Sequence, residues 1–147
     1  MSNIHYISPD ILTLERLDFI FKNGLKLALS AASKQAVTDC RTFLETKLAH
    51  SDATFYGINT GFGFLQNVQI DNDQLSELQN NLLKSHACGL GEEVPEEIVK
   101  LMIMLKIKSL SYGHSGVQID TVKRLMDMYN AKMYPVIYDS NLHCLNT

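Results

Sequence analysis

Residues Glu96 to Tyr112 read EEIVKLMIMLKIKSLSY, and the fold turns on whether this run lies along one face of a core or is enclosed by it. Pro95 stands at its start and the acidic residues follow in the first turn, where the helix dipole favours negative charge. At about 100° per residue, Lys106 falls about 120 to 160° from Lys100 and Lys108, so the lysines do not share one solvated stripe. What remains is Ile98, Val99, Leu101, Met102, Ile103, Met104, Leu105, Ile107 and Leu110, more apolar surface than a helix lying on one small core can use. The element asks for neighbours on several sides.

Further helices are legible on either side. Towards the carboxyl end, Gly113 and Gly116 terminate the run, and Asp120 or Thr121 can start a helix through about Ala131, with Val122, Leu125, Met126 and Tyr129 facing inward. Pro135 breaks that pattern. Towards the amino end, Thr13 is a suitable cap for a short helix carrying Leu14, Leu17, Phe21 and Leu25, stopped by Asn23-Gly24. Ser30 can cap a second helix to about His50, with Ala36, Val37, Cys40, Phe43, Leu44 and Leu48 as its apolar face. The segment ATFYGI, Ala53 to Ile58, is β-prone and predicts a brief strand or extended piece. From Asp71 the pattern is helical again, and Leu75, Leu78, Leu82 and Leu83 share a face before Gly89. The sum is a mainly α chain of about five helices with one or two short strands.

Composition narrows the function. With 147 residues, 46% hydrophobic and 20% charged, the chain is long enough for one globular domain with an ordinary core. A formal net charge of -3 without a basic stripe argues against a nucleic-acid partner. Lys100, Lys106 and Lys108 interrupt the longest apolar run, so no stretch of about 18 residues is available to span a bilayer. The first residues, MSNIHYISPD, lack a signal-peptide pattern, and a cytoplasmic location is expected. Cys40, Cys88 and Cys144 are odd in number and widely separated, which fits reduced thiols. His5, His50, His114 and His143 have no metal-site spacing, so they are expected at the surface or in packing, and no metal is expected. Glu92 and Glu93 are expected to be a solvated pair in a helix first turn. No internal repeat occurs, and the last nine residues, DSNLHCLNT, show no periodicity.

Two segments invite chemistry. Tyr56 to Gly63 read YGINTGFG, which matches neither the phosphate loop nor the dinucleotide fingerprint. Gly61 and Gly63 can simply supply positive φ in a turn. Alternatively, the glycines let the backbone and Tyr56 approach a ligand, with Asn59 and Thr60 offering polar contacts. A tyrosine serves as a general base only if its phenol pKa falls below the usual value of about 10, and nothing local supplies the positive charge to lower it. His86, in NNLLKSHACGLG, sits at a helix end, where it is either a partner of the dipole or a site residue.

These motifs occur together and in order. YGINTGFG, LQNNLLKSHACGLG, LMIMLKIKSLSYGHSGV and LMDMYNAKMYPVI, with LTLERL near the start, closely resemble the amino-terminal part of the aromatic amino acid ammonia-lyase family. The similarity covers residues 12 to 138. It implies an amino-terminal domain over residues 1–138 of the family's helical fold, and a divergent tail over residues 139–147. It also implies that Tyr56 is the base that removes a β-proton, and that Gly57, Asn59, Thr60, Gly61, Phe62 and Gly63 form an active-site loop. Ser85 and His86 lie where the family reads the substrate side chain. The Ser-His pair is similar to the histidine-specific members, whereas His-Leu and Phe-Leu are commoner in tyrosine and phenylalanine lyases. The implied reaction converts L-histidine to trans-urocanate and ammonium in histidine catabolism, with a tyrosine lyase as the alternative.

The chemistry needs more than a base. The β-proton is not α to a carbonyl, and an unactivated amine leaves poorly. The family supplies methylidene-imidazolone as an electrophile, formed from an internal Ala-Ser-Gly. Here the chain departs from the pattern: after YPVI it reads YDSNLHCLNT. Ala31 to Ser33 are followed by Lys34, and Ser115-Gly116 are preceded by His114, so neither provides the tripeptide. The expectation is an amino-terminal fragment that is not competent alone, belonging to a parent enzyme that assembles as a homo-oligomer. A non-catalytic module that self-associates is the alternative from a different class, motivated by the all-round apolar helix.

Overall fold

A computed structural model describes residues 3–50, 55, 57–60, 75–86 and 89–139. Among these the chain forms five helices and two short strands, the mainly helical fold the sequence predicts. They fall into two compact units, one of residues 1–47 with 94–136 and one of residues 48–93 with 137–147.

The first unit opens with strand β1 (Ile4–Ile7), helix α1 (Leu14–Lys22) and strand β2 (Lys26–Leu29). The strands pair in parallel, Ile4 opposite Lys26 and Ile7 opposite Leu29, so α1 is the crossover that parallel pairing requires. These are not the strands expected from sequence. Around Tyr56, residues 57–59 form a turn, while Ala53, Thr54 and Tyr56 lie outside the described residues. The strands form instead where Ile7 and Leu27 can be buried on the same small sheet.

Caps set the starts of the first two helices as expected. The Thr13 hydroxyl accepts the Arg16 N–H at 3.2 Å, and α1 ends at Asn23 before Gly24 at φ +56°. Its buried residue is Ile20, and Leu14, expected inward, is 79% exposed. A nine-residue helix over a two-stranded sheet has only a narrow face to bury. Ser30 Oγ accepts the Ser33 N–H at 3.1 Å at the start of α2 (Ala31–Ala49). Ser33 and Val37 are buried there, whereas Phe43, expected in the core, is exposed with the Lys47 ammonium 5.5 Å from its ring centre.

Helix α4 (Glu96–Leu110) occupies the middle of this unit. Val99, Ile103, Met104, Ile107 and Lys108 are buried, and Ile98 and Leu105 are about half exposed, so the helix is enclosed except along one strip. Its lysines behave differently from one another, which explains their scatter on the wheel. Lys106 is exposed, Lys100 reaches over the Phe21 ring at 4.4 Å, and Lys108 is buried. Helix α5 (Ile119–Asn130) turns Val122, Met126 and Tyr129 into the core as its pattern predicts, with Leu125 only half-buried, and it starts at Ile119 after Gln118, ahead of the expected Asp120 or Thr121 and without a side-chain cap. The α4–α5 connection packs on α2: a Cβ on Gly113 would meet the Ala36 carbonyl at 2.5 Å, and one on Gly116 would meet Leu44 at 2.6 Å.

The second unit contains helix α3 (Leu75–His86). Leu78 and Leu82 are half-buried and Leu83, expected on the same face, is exposed. Glu93 bridges Tyr138 in antiparallel fashion, and the Asp139 N–H donates to the Glu92 carbonyl at 2.9 Å. Glu92 and Glu93 therefore precede the helix rather than form its first turn, a role that belongs to Glu96 and Glu97. The segment is diverted into this bridge before Pro95 can start the helix.

Candidate functional site

The segment around Tyr56 is a turn closed by its own side chains. Phe55 donates its N–H to Asn59 Oδ1 at 2.6 Å, and its carbonyl accepts the N–H groups of Ile58 at 3.0 Å and Asn59 at 3.2 Å. The Gly57 N–H donates to the Thr60 hydroxyl at 3.3 Å. Gly57 has φ +73°, a conformation that costs glycine nothing and other residues a steric penalty. Thr60 is buried. A backbone N–H can only donate, so the oxygen end of the Asn59 amide faces Phe55. Tyr56, Gly61, Phe62 and Gly63 lie outside the described residues.

Ser85 and His86 are the last two residues of α3, in the same compact unit as the turn. Their backbone is helical, which puts position 86 at the carboxyl end of the helix dipole; their side chains lie outside the described residues.

The first unit holds a separate polar cluster that the sequence reading missed. His5 Nδ1 accepts from Arg16 Nη2 at 3.1 Å, and the Lys108 ammonium donates to the carbonyls of Ser8 at 2.5 Å and Asp10 at 2.6 Å. The same ammonium lies 4.4 Å from the Tyr112 ring centre. Burial, then the charges of Arg16 and Lys108, hold the His5 pKa below its ordinary value of 6.5. An arginine only donates, so the Arg16 contact also requires a neutral imidazole with Nδ1 as acceptor. The cavity among His5, Ser8, Asp10, Arg16 and Lys108 is about 50 Å³. That is room for a water or two and far below the several hundred Å³ of an ordinary ligand pocket. The cluster is a clamp on the β1–α1 connection. A lysine in register with buried Met104 and Ile107 was the sequence signal, but its partners lie 98 and 100 residues away.

The two stretches that come nearest to an Ala-Ser-Gly in the sequence both lie among the described residues. Ser33, the nearest thing to the serine of an Ala-Ser-Gly, is in the first turn of α2 and is followed by Lys34. Ser115-Gly116 lies in the α4–α5 connection, where the Gly116 carbonyl accepts from Arg41 at 3.2 Å. Among the described residues no helix is long and apolar enough to cross a membrane, and no group of three His, Cys, Asp or Glu could hold a metal.

The family described as aromatic amino acid lyase matches residues 12–141. Histidine ammonia-lyase of Deinococcus radiodurans is 44% identical over 126 residues, which are 86% of this chain and 24% of that protein. Among solved structures, histidine ammonia-lyase from Trypanosoma cruzi superposes with a TM-score of 0.78 at 30% identity, covering 92% of this chain and 26% of that one. Tyrosine aminomutase from Streptomyces globisporus superposes with a TM-score of 0.80 at 26% identity, covering 90% of this chain and 25% of that one. The chain thus spans about a quarter of the length of the relatives it matches.

Proposed function

The chain belongs to the aromatic amino acid lyase family, and from that premise we propose that it is the amino-terminal part of a histidine ammonia-lyase. The observation that carries this reading is the 44% identity to the Deinococcus radiodurans enzyme across most of the chain. The Ser85-His86 pair at the end of α3 supports histidine over tyrosine as the substrate.

In this reading Tyr56 takes the β-proton of L-histidine. The electron pair of that C–H bond becomes the new C=C bond, the C–N bond breaks, and the products are trans-urocanate and ammonium. A phenol with a pKa of about 10 must be brought down for this task, by groups outside the Tyr56 turn. Ser85 and His86 contact the substrate side chain. The 147 residues contain no Ala-Ser-Gly, so the electrophile comes from polypeptide beyond them and the chain alone does not turn over. Assembly as a homo-oligomer in the cytoplasm belongs to the same reading.

The test joins residues 1–138 to the carboxy-terminal remainder of the Deinococcus radiodurans enzyme and follows urocanate by its ultraviolet absorbance. Histidine turnover is expected in the fusion and not in the 147-residue chain. Tyr56→Phe should lower kcat by about 100-fold or more, the scale of a lost general base. Turnover of tyrosine with none of histidine would transfer the substrate assignment, and turnover by the short chain would refute the external electrophile.

A further inference from the structure

We propose that His5, Arg16 and Lys108 form a proton-operated latch, which holds residues 8–12 on the body of the first unit and releases them when His5 takes up a proton. The connection between β1 and α1 has few attachments. Its Ser8 hydroxyl donates to the Asp10 carboxylate at 2.8 Å, within the connection itself. Among the described residues, its hydrogen bonds to other elements are those that the Lys108 ammonium gives to the carbonyls of Ser8 and Asp10. Lys108 is 7% exposed, whereas Ile11 in the connection is 88% exposed. One buried side chain of α4 therefore carries the polar attachment of a segment that faces solvent.

The proton enters at His5. Its Nδ1 accepts from Arg16 Nη2 at 3.1 Å, a bond that exists only while that nitrogen carries no hydrogen. Protonation makes both ring nitrogens donors and adds a third cation to the cavity that Arg16 and Lys108 already line. The depressed pKa of His5, caused by burial and by these two charges, expresses the same opposition. The cations differ in their freedom. Arg16 is exposed and can turn to solvent, but Lys108 is enclosed, with the Tyr112 ring centre 4.4 Å from its ammonium. His5 and Lys108 both stand on packed elements, so their repulsion is relieved by opening the connection and admitting water between them. Asp10 is the acid lining the same cavity, and an imidazolium competes with the Ser8 hydroxyl for its carboxylate. Glu15 and Asp18 of α1 turn to Thr13 and Lys22, and β2 sets Lys26 opposite Ile4 and apolar Leu27 opposite His5. Neither element supplies a counter-charge.

The experiment follows backbone order parameters by NMR relaxation in the 147-residue chain, from about pH 7.5 to about pH 4. Those of Ser8, Asp10, Ile11 and Leu12 should fall from about 0.85 to below about 0.6. The midpoint should match the titration of the His5 ring, while α4 and α5 keep their values. His5→Gln retains an acceptor for Arg16 and does not titrate, so its connection should stay rigid throughout. Lys108→Met removes the attachment, and its connection should be mobile at every pH. If that variant does not fold, the comparison of the parent with His5→Gln decides alone. A connection that stays rigid while His5 titrates, that loosens equally in His5→Gln, or that is rigid in folded Lys108→Met would overturn the latch. Loosening with a midpoint near the carboxylate value of about 4 would assign the release to Asp10 and overturn it as well.

Discussion

The side-chain amide of Asn130 pairs with both backbone groups of Leu27. The Leu27 N–H donates to Asn130 Oδ1 at 2.7 Å, and Asn130 Nδ2 donates to the Leu27 carbonyl at 2.9 Å. The last residue of α5 thus acts like a further strand on the edge of β2 that β1 does not occupy. Replacing it with alanine leaves a part-buried donor and acceptor unpaired, at a cost of about 1–3 kcal/mol. Asn130→Asp keeps the acceptor but sets a charge against the Leu27 carbonyl and should be no better. Urea unfolding of the three proteins checks this, with a lowered midpoint expected for both variants.

The His5 cluster predicts a pH dependence of known sign. The folded imidazole has its pKa lowered by burial, by Arg16 of α1 and by Lys108 of α4. The folded state therefore binds fewer protons than the unfolded one. This contribution is fully present above the unfolded value of 6.5, and it is lost as pH falls through the lower folded value. Stability should decline with acidification in that window, and His5→Gln should flatten the decline. Arg16→Ala removes one of the two charges and should raise the His5 midpoint in an NMR titration.

Gly24 and Gly113 offer a paired test of strain against packing. Both have positive φ, +56° and +72°. A Cβ at Gly24 meets nothing within 4 Å, whereas at Gly113 it meets the Ala36 backbone at 2.5 Å. Gly24→Ala should cost about 1–2 kcal/mol from conformation alone. Gly113→Ala adds an overlap that only movement of α2 or the connection can relieve, a further 1–3 kcal/mol or so. Equal losses in chemical denaturation would contradict this assignment.

Tyr129 is buried, its hydroxyl has no hydrogen-bond partner among the described residues, and burial followed by Tyr134 raises its pKa to about 12. Tyr129→Phe removes an unsatisfied group without changing ring packing. It should leave stability at neutral pH unchanged or raise it by up to about 1 kcal/mol. Because the folded pKa is raised, the stability linked to the neutral phenol is present below 10.0 and is lost as pH rises towards 12. The phenylalanine variant should lack that alkaline loss in a pH series of thermal unfolding.

What was legible in the sequence was local. Thr13 and Ser30 cap helices through bonds to residues three positions on, Pro95 precedes α4, and Val122, Met126 and Tyr129 turn inward together because helical periodicity places them on one face. The wheel of α4 also announced enclosure on several sides, and Val99, Ile103, Met104 and Ile107 are buried accordingly. Of the brief strand or extended piece expected over Ala53 to Ile58, Gly57 and Ile58 lie in a turn closed by its own side chains, while Ala53, Thr54 and Tyr56 lie outside the described residues.

The sequence by itself determined the helical class, the starts of α1 and α2, and the ordered motifs that mark the family, since each depends on residues within a few positions of one another. Only the tertiary structure decided that Ile4–Ile7 and Lys26–Leu29 are the strands, that Lys108 clamps the carbonyls of Ser8 and Asp10, and that Asn130 closes the edge of β2. The Asn130 and Lys108 contacts join residues about a hundred positions apart. Their formation depends on the packing of α4 and α5 beside the small sheet, a geometry that no local pattern encodes. The turn around Tyr56 belongs to both sides: its glycine was visible at once, but the inward direction of Asn59 and Thr60 followed only from where the chain places Phe55 and Gly57.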